Sequence, residues 1–99
     1  MAEYFLSPEA MDDLQGIWDF IALDSPIAAD RLIDELFETF EQLAVWPGQG
    51  HFRRDLTERN VRFWPVGSYL VVYREGRGAL EIAAILHGAR DIPRVIEGR

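Results

Sequence analysis

Few residues in this 99-residue chain can do chemistry, and they are unevenly placed. Two histidines, His51 and His87, are the side chains of the type most used for general acid–base work. The chain has no cysteine, so neither a disulfide framework nor a thiolate metal site is possible. The two histidines lie far apart in sequence and make no metal-ligand spacing, so no metal is expected. All ten basic residues are arginine. Arginine is the cation suited to forked, two-point pairing with carboxylate or phosphate. Four of them, Arg53, Arg54, Arg59 and Arg62, fall within ten residues. They could meet an acidic partner or a phosphate backbone, or simply pair with Asp55 and Glu58 on a solvated loop.

RNA cleavage would need a base for the 2′-hydroxyl, an acid for the leaving oxygen and cations for the phosphate. His87 could supply the proton transfer, with Arg62, Arg74 and Arg90 as the cations. The structural alternative is that His87 closes a strand with a hydrogen bond while Arg90 pairs with Asp91. Trp18 and Trp46 sit on or at the ends of apolar helix faces and read as core. Trp64 alternates with Phe63, so one of that pair faces away from the other and is a candidate for an interface.

The elements that must position these groups are legible. Ala2 to Leu6 reads as a short strand. Ser7-Pro8-Glu9 starts a helix: serine caps, proline fits the first turn and glutamate suits the positive end of the dipole. Ala10/Met11, Leu14, Ile17/Trp18 and Ile21 form its apolar stripe. Ser25-Pro26 starts a second helix, with a stripe at Ala29, Leu32/Ile33, Leu36, Phe40 and Leu43. Its outer face carries Asp30, Asp34, Glu38 and Glu41. So short a link makes the two helices an antiparallel hairpin. Trp46-Pro47-Gly48 ends it. Gly48 to Arg59 has no sustained period and reads as a loop with at most one helical turn.

The remainder reads as sheet: Val61 to Pro65, Tyr69 to Arg74, a glycine-bearing turn at Glu75 to Gly78, and Leu80 to Leu86 with Leu80, Ile82, Ala84 and Leu86 on one face. Asp91 caps a last short helix carrying Ile92, Val95 and Ile96. The predicted fold is α+β in the order β-α-α-β-β-β, a helical hairpin packed on an antiparallel sheet with a short C-terminal helix, and the whole chain, 1–99, as one domain.

Residues 1–49 carry eleven acidic side chains and one arginine, a balance of −10, whereas residues 50–99 carry six acidic side chains and nine arginines, a balance of +3. The total of −7 argues against nucleic-acid binding through the whole surface. The chain has no apolar run of membrane-spanning length and no signal-peptide pattern, so a cytoplasmic protein is expected.

In order, Leu6-Ser7-Pro8-Glu9-Ala10, Ile17-Trp18-Asp19-Phe20-Ile21, Pro26 to Leu32, Leu43 to Gly48, Val66-Gly67-Ser68-Tyr69-Leu70-Val71-Val72-Tyr73-Arg74 and Ile85 to Asp91 resemble the RelE/ParE superfamily of toxins from bacterial toxin–antitoxin pairs. The wording is closer to the ParE branch. The resemblance implies a cognate antitoxin, of the ParD-like ribbon-helix-helix type, and no cofactor, no membrane and no sequence-specific DNA binding by the chain alone. For a ParE-like chain it implies DNA gyrase as the target, inhibited by binding. The expected target contact is then His87, Arg90, Ile92, Val95 and Ile96, with Arg53, Arg54, Arg62 and Trp64 meeting a partner. For a RelE-like chain it implies ribosome-dependent cleavage of messenger RNA. The sequence departs from several such nucleases at Gly88-Ala89, where they carry an aromatic residue, and in having no lysine. A third possibility is an adaptor that keeps the fold and binds an antitoxin-like partner without being toxic.

Overall fold

A computed structural model describes residues 3–99. Strand β1 (Tyr4–Leu6) leads into helix α1 (Pro8–Ala22) and helix α2 (Pro26–Val45). Ala2, expected in the first strand, lies outside the described residues. Both helices start as their sequences dictate. The Ser7 hydroxyl oxygen accepts from the Ala10 N–H (3.0 Å) and that of Ser25 from the Ala28 N–H (3.1 Å), each with proline in the first turn. A 3₁₀ turn at Pro47–Gln49 follows, then β2 (His51–Phe52), β3 (Arg62–Val66), β4 (Tyr69–Glu75), β5 (Leu80–His87) and helix α3 (Ile92–Glu97). The segment read as a loop from Gly48 to Arg59 therefore holds a two-residue strand.

The sheet order is β1-β5-β4-β3-β2. Pairing is antiparallel from β2 to β5, as expected, while β1 joins β5 in parallel. The α1–α2 hairpin separates β1 from the rest of the sheet in sequence and returns the chain so that β1 and β5 run alike.

The hairpin packs its stripe on one face of the sheet. Leu14, Ile17, Leu36, Phe40 and Leu43 meet Val71, Tyr73, Ile82 and Ile85 there. On the other face α3 and the loop before β3 cover a smaller core of Val61, Phe63, Val72, Ala84, Leu86, Ile92 and Ile96.

One strand departs from the predicted pattern. Leu80 and Ile82 face the hairpin, but Ala84 and Leu86 face α3. Val72 pairs with Ala84 and Tyr73 with Ile82, so Ala83 is an extra residue in β5. Such a bulge shifts the two-residue alternation by one and turns the rest of the strand over. The backbone groups beside it are met from α1. The Ser7 hydroxyl donates to the Ala83 carbonyl (2.9 Å), and the Ile85 N–H donates to Asp13 Oδ2 (3.0 Å). Arg99 grips both oxygens of the same carboxylate at 2.8 and 2.9 Å. Asp13 thus ties α1, the bulge and Arg99, two residues past α3, together.

Candidate functional site

The four residues that RNA cleavage would require are not brought together. His87 ends β5 opposite Tyr69, whose ring it meets edge-on at 5.2 Å. Arg62 pairs with Tyr73, four residues further along β4 and one strand further across. Four strand residues alone span ~13 Å. Arg74 falls on the opposite face from His87, beside Val72 and Ala84, and is ion-paired with Glu81. Arg90 stands exposed in the turn after β5, its N–H donating to the His87 carbonyl (3.0 Å). His87 closes the strand with a hydrogen bond, its Nδ1 accepting from the Ala89 N–H at 3.0 Å, but the expected Arg90–Asp91 pair is not formed among the described residues: Asp91 caps α3 by accepting from the Arg94 N–H.

The expected target contact is only partly at the surface. Ile92 and Ile96 are 3% and 6% exposed, and they seat α3 on the sheet instead of offering apolar anchors. A spacing of four puts them on one helix face, and that face looks inward. Val95 is half-buried, and Arg90 and Arg94 are exposed.

The arginines before and within β3 divide into two kinds. Arg53 pairs with Asp55 at 2.7 Å, and that hydrogen bond holds the Asp55 carboxyl below the usual carboxylate range. Arg54 reaches the backbone carbonyls of Glu58 (2.9 Å) and Arg59 (3.2 Å), not the Glu58 carboxylate. Arg62 donates to the Gly50 carbonyl (3.0 Å). Both lie against the ring of Phe52, Arg62 at 4.2 Å and Arg54 at 5.0 Å from its centroid.

This loop is pinned from below by a residue that the sequence did not single out. Tyr73 is fully buried. Its hydroxyl accepts from the Gly50 N–H and donates to the Pro47 carbonyl, both at 2.7 Å. Burial pushes the phenol's pKa above the ordinary tyrosine value. A Cβ at Gly50 would overlap that hydroxyl, so glycine is required by close approach.

The aromatic expectations divide as well. Phe63 is buried under α3, and Trp64 is half-buried on the hairpin side. Trp18 is half-buried and donates its indole N–H to Asp30 (2.8 Å). Trp46, expected in the core, is 69% exposed, because α2 stops at Val45 and Pro47 turns the chain away. The hairpin's outer surface carries an apolar groove lined by Leu6, Met11, Leu14, Trp18, Ile33 and Phe37. Among the described residues no group of three or more His, Asp or Glu could hold a metal ion, and no helix is long and apolar enough to cross a membrane.

Residues 4–92 match the family model described as the ParE toxin of the type II toxin–antitoxin system parDE. Toxin RelE2 of Caulobacter vibrioides is 31% identical over 90 residues, covering 91% of this chain and 99% of the relative. A solved structure described as the chromosomal ParDE toxin–antitoxin system from P. aeruginosa superposes with a TM-score of 0.72 at 22% identity, covering 88% of this chain and 96% of that one. At that identity the superposition speaks for the fold, and it agrees with the hairpin-on-sheet architecture described above. The extent of the family match, together with a relative aligned along nearly its whole length, shows that the chain belongs to the ParE toxin family of type II toxin–antitoxin systems.

Proposed function

We propose that the chain is a cytoplasmic gyrase poison that acts by binding, performs no hydrolysis of its own, and is neutralised by a ParD-like antitoxin. The observation that carries this reading is the separation of His87 and the neighbouring Arg90, at one end of the sheet, from Arg62 further along it and from Arg74 on the opposite face. General acid–base cleavage needs the acid, the base and the cations around one phosphate. A binding poison needs only a shaped surface. The target contact in this reading is the rim formed by His87, Arg90 and Val95, held in place by Ile92 and Ile96 beneath. The antitoxin takes the apolar groove along α1 and α2, since a segment that orders on binding must bury apolar surface to offset the entropy it loses.

One finding favours a second reading, ribosome-dependent cleavage of messenger RNA: the relative that aligns along nearly its whole length is called RelE2. Induction of the chain alone in cells separates the two. The gyrase reading predicts a DNA-damage response with intact messenger RNA, suppressed by co-expressed antitoxin. Translation arrest with cut transcripts and no DNA damage would establish the second reading instead.

A further inference from the structure

The link between α1 and α2 carries more than a reversal of the chain requires. Phe20, Leu23 and Ile27 fall there and are 71%, 87% and 67% exposed. Isolated apolar side chains at a surface are ordinary, but three large ones in one helix link are not. The turn does not need them. The Asp24 and Ser25 N–H groups both donate to the Ile21 carbonyl (3.0 and 2.9 Å), and the Ser25 hydroxyl caps α2. These bonds fix the backbone of the tip, so its side chains are presented without a large ordering cost. The patch is distinct from the hairpin groove. Trp18 lines that groove, and Phe20, two residues on, is turned roughly 200° from it about the α1 axis. Acidic side chains flank the patch. Asp19, Asp24 and Asp30 are exposed, and Arg31 is the one arginine of residues 1–49.

We infer that the α1–α2 tip is a second target-docking element, whose Phe20, Leu23 and Ile27 enter an apolar pocket rimmed by lysine or arginine on the protein that the toxin attacks. The inference rests on the reading that the chain acts by binding a protein target, and it adds a contact apart from the His87 rim. Charge complementarity selects this occupant. Two copies meeting tip to tip would set aspartates against aspartates. A tip entering another copy's hairpin groove would meet the same acidic half, whose balance is −10. Nucleic acid and anionic lipid headgroups would be repelled by the three carboxylates. Helices that lie on membranes flank their apolar face with lysine and arginine instead.

The test compares the full chain with Phe20→Ser, Leu23→Ser, Ile27→Ser and Asp24→Lys. Val45→Ser, at an exposed apolar residue of the other end of α2, is the control. Each is induced in cells, and each is incubated as purified protein with gyrase and supercoiled DNA. Because the tip residues are exposed, melting temperature and antitoxin affinity should stay as in the parent chain. Growth arrest and trapped DNA breaks should need about tenfold or more protein for the three serine variants at the tip. Asp24→Lys should weaken trapping most at low salt, where charge pairing is least screened. Val45→Ser should behave as the parent. Breaks trapped equally by the parent and Leu23→Ser would overturn the inference and leave the gyrase reading standing. Arrest with cut messages and no breaks would remove the gyrase reading, and the inference then holds only where Leu23→Ser relieves that arrest. Three results would overturn it in favour of another occupant: a loss of antitoxin affinity in Leu23→Ser, a dimer of the parent that Leu23→Ser dissolves, or binding of the parent to phosphatidylglycerol vesicles that Leu23→Ser abolishes.

Discussion

At the scale of single residues, Tyr73 does most to shape the surface without being part of it. Tyr73→Phe keeps the ring and leaves the Gly50 N–H and the Pro47 carbonyl without their partner, which should cost about 1–3 kcal/mol in a urea titration. Gly50→Ala forces a methyl group against the hydroxyl and should cost a similar amount, ~1–3 kcal/mol. Because burial raises the folded-state pKa of Tyr73, the folded chain keeps this proton after the unfolded chain has lost it. The associated stability is therefore complete below the ordinary tyrosine pKa and is lost as pH rises through the folded value. Phenolate absorbance should show Tyr73 ionising above the ordinary tyrosine value or only on unfolding, and Tyr73→Phe should flatten the alkaline loss of stability. The sequence did not disclose this residue. A tyrosine in an apolar strand reads as packing, and its hydroxyl's partners lie 23 and 26 residues away. His87 was legible as a strand end, since glycine follows it, whereas its distance from Arg62 and Arg74 depends on register and face.

At the scale of elements, local chemistry decided the helices. Two Ser-Pro starts and two clean stripes were enough to place α1 and α2 and to name Leu36, Phe40 and Leu43 as core. Phe40→Ala should cost about 3–5 kcal/mol, read as a lowered denaturation midpoint, because its ring is fully enclosed between α2 and the sheet. A midpoint that does not move would mean that this stripe does not face the core. The faces of β5 beyond Ile82 are not legible in the sequence, since a bulge carries no compositional mark in Ile82-Ala83-Ala84-Ile85. Its anchor, Asp13, neighbours the stripe formed by Ala10, Leu14 and Ile17, and nothing in its type or spacing marks it as the clamp on the bulge. Asp13→Ala removes the acceptor of the Ile85 N–H and the partner of Arg99 together. The expected result is a loss of about 1–3 kcal/mol, with faster amide exchange concentrated at Ile85 and in α3. Uniform loss across the molecule would contradict a local clamp. α3 was found by its capping Asp91, but the stripe on so short a helix shows which side is apolar, not what that side meets. In the fold it meets the sheet.

At the scale of the whole molecule, the charge division sets an acidic, groove-bearing surface apart from an arginine-bearing one. The hairpin half is acidic and leaves Met11 and Phe37 exposed beside a groove, while the Arg-bearing half presents β2, the turn after β5 and the outer side of α3. A toxin family member whose groove is covered in its complex should gain stability from its antitoxin by mass action, with a melting temperature that climbs as antitoxin is added beyond saturation. The central claim is that this chain poisons gyrase by binding, and its most direct test is one assay on one variant pair. Purified chain and His87→Gln are each incubated with gyrase and supercoiled DNA, and in parallel with translating ribosomes and messenger RNA. The account predicts that both proteins trap broken DNA on gyrase to a similar degree and that neither cuts the message, because no proton transfer is required of His87. Ribosome-dependent cuts by the parent chain that His87→Gln slows by ~10²–10⁴-fold, with gyrase unaffected, would contradict it.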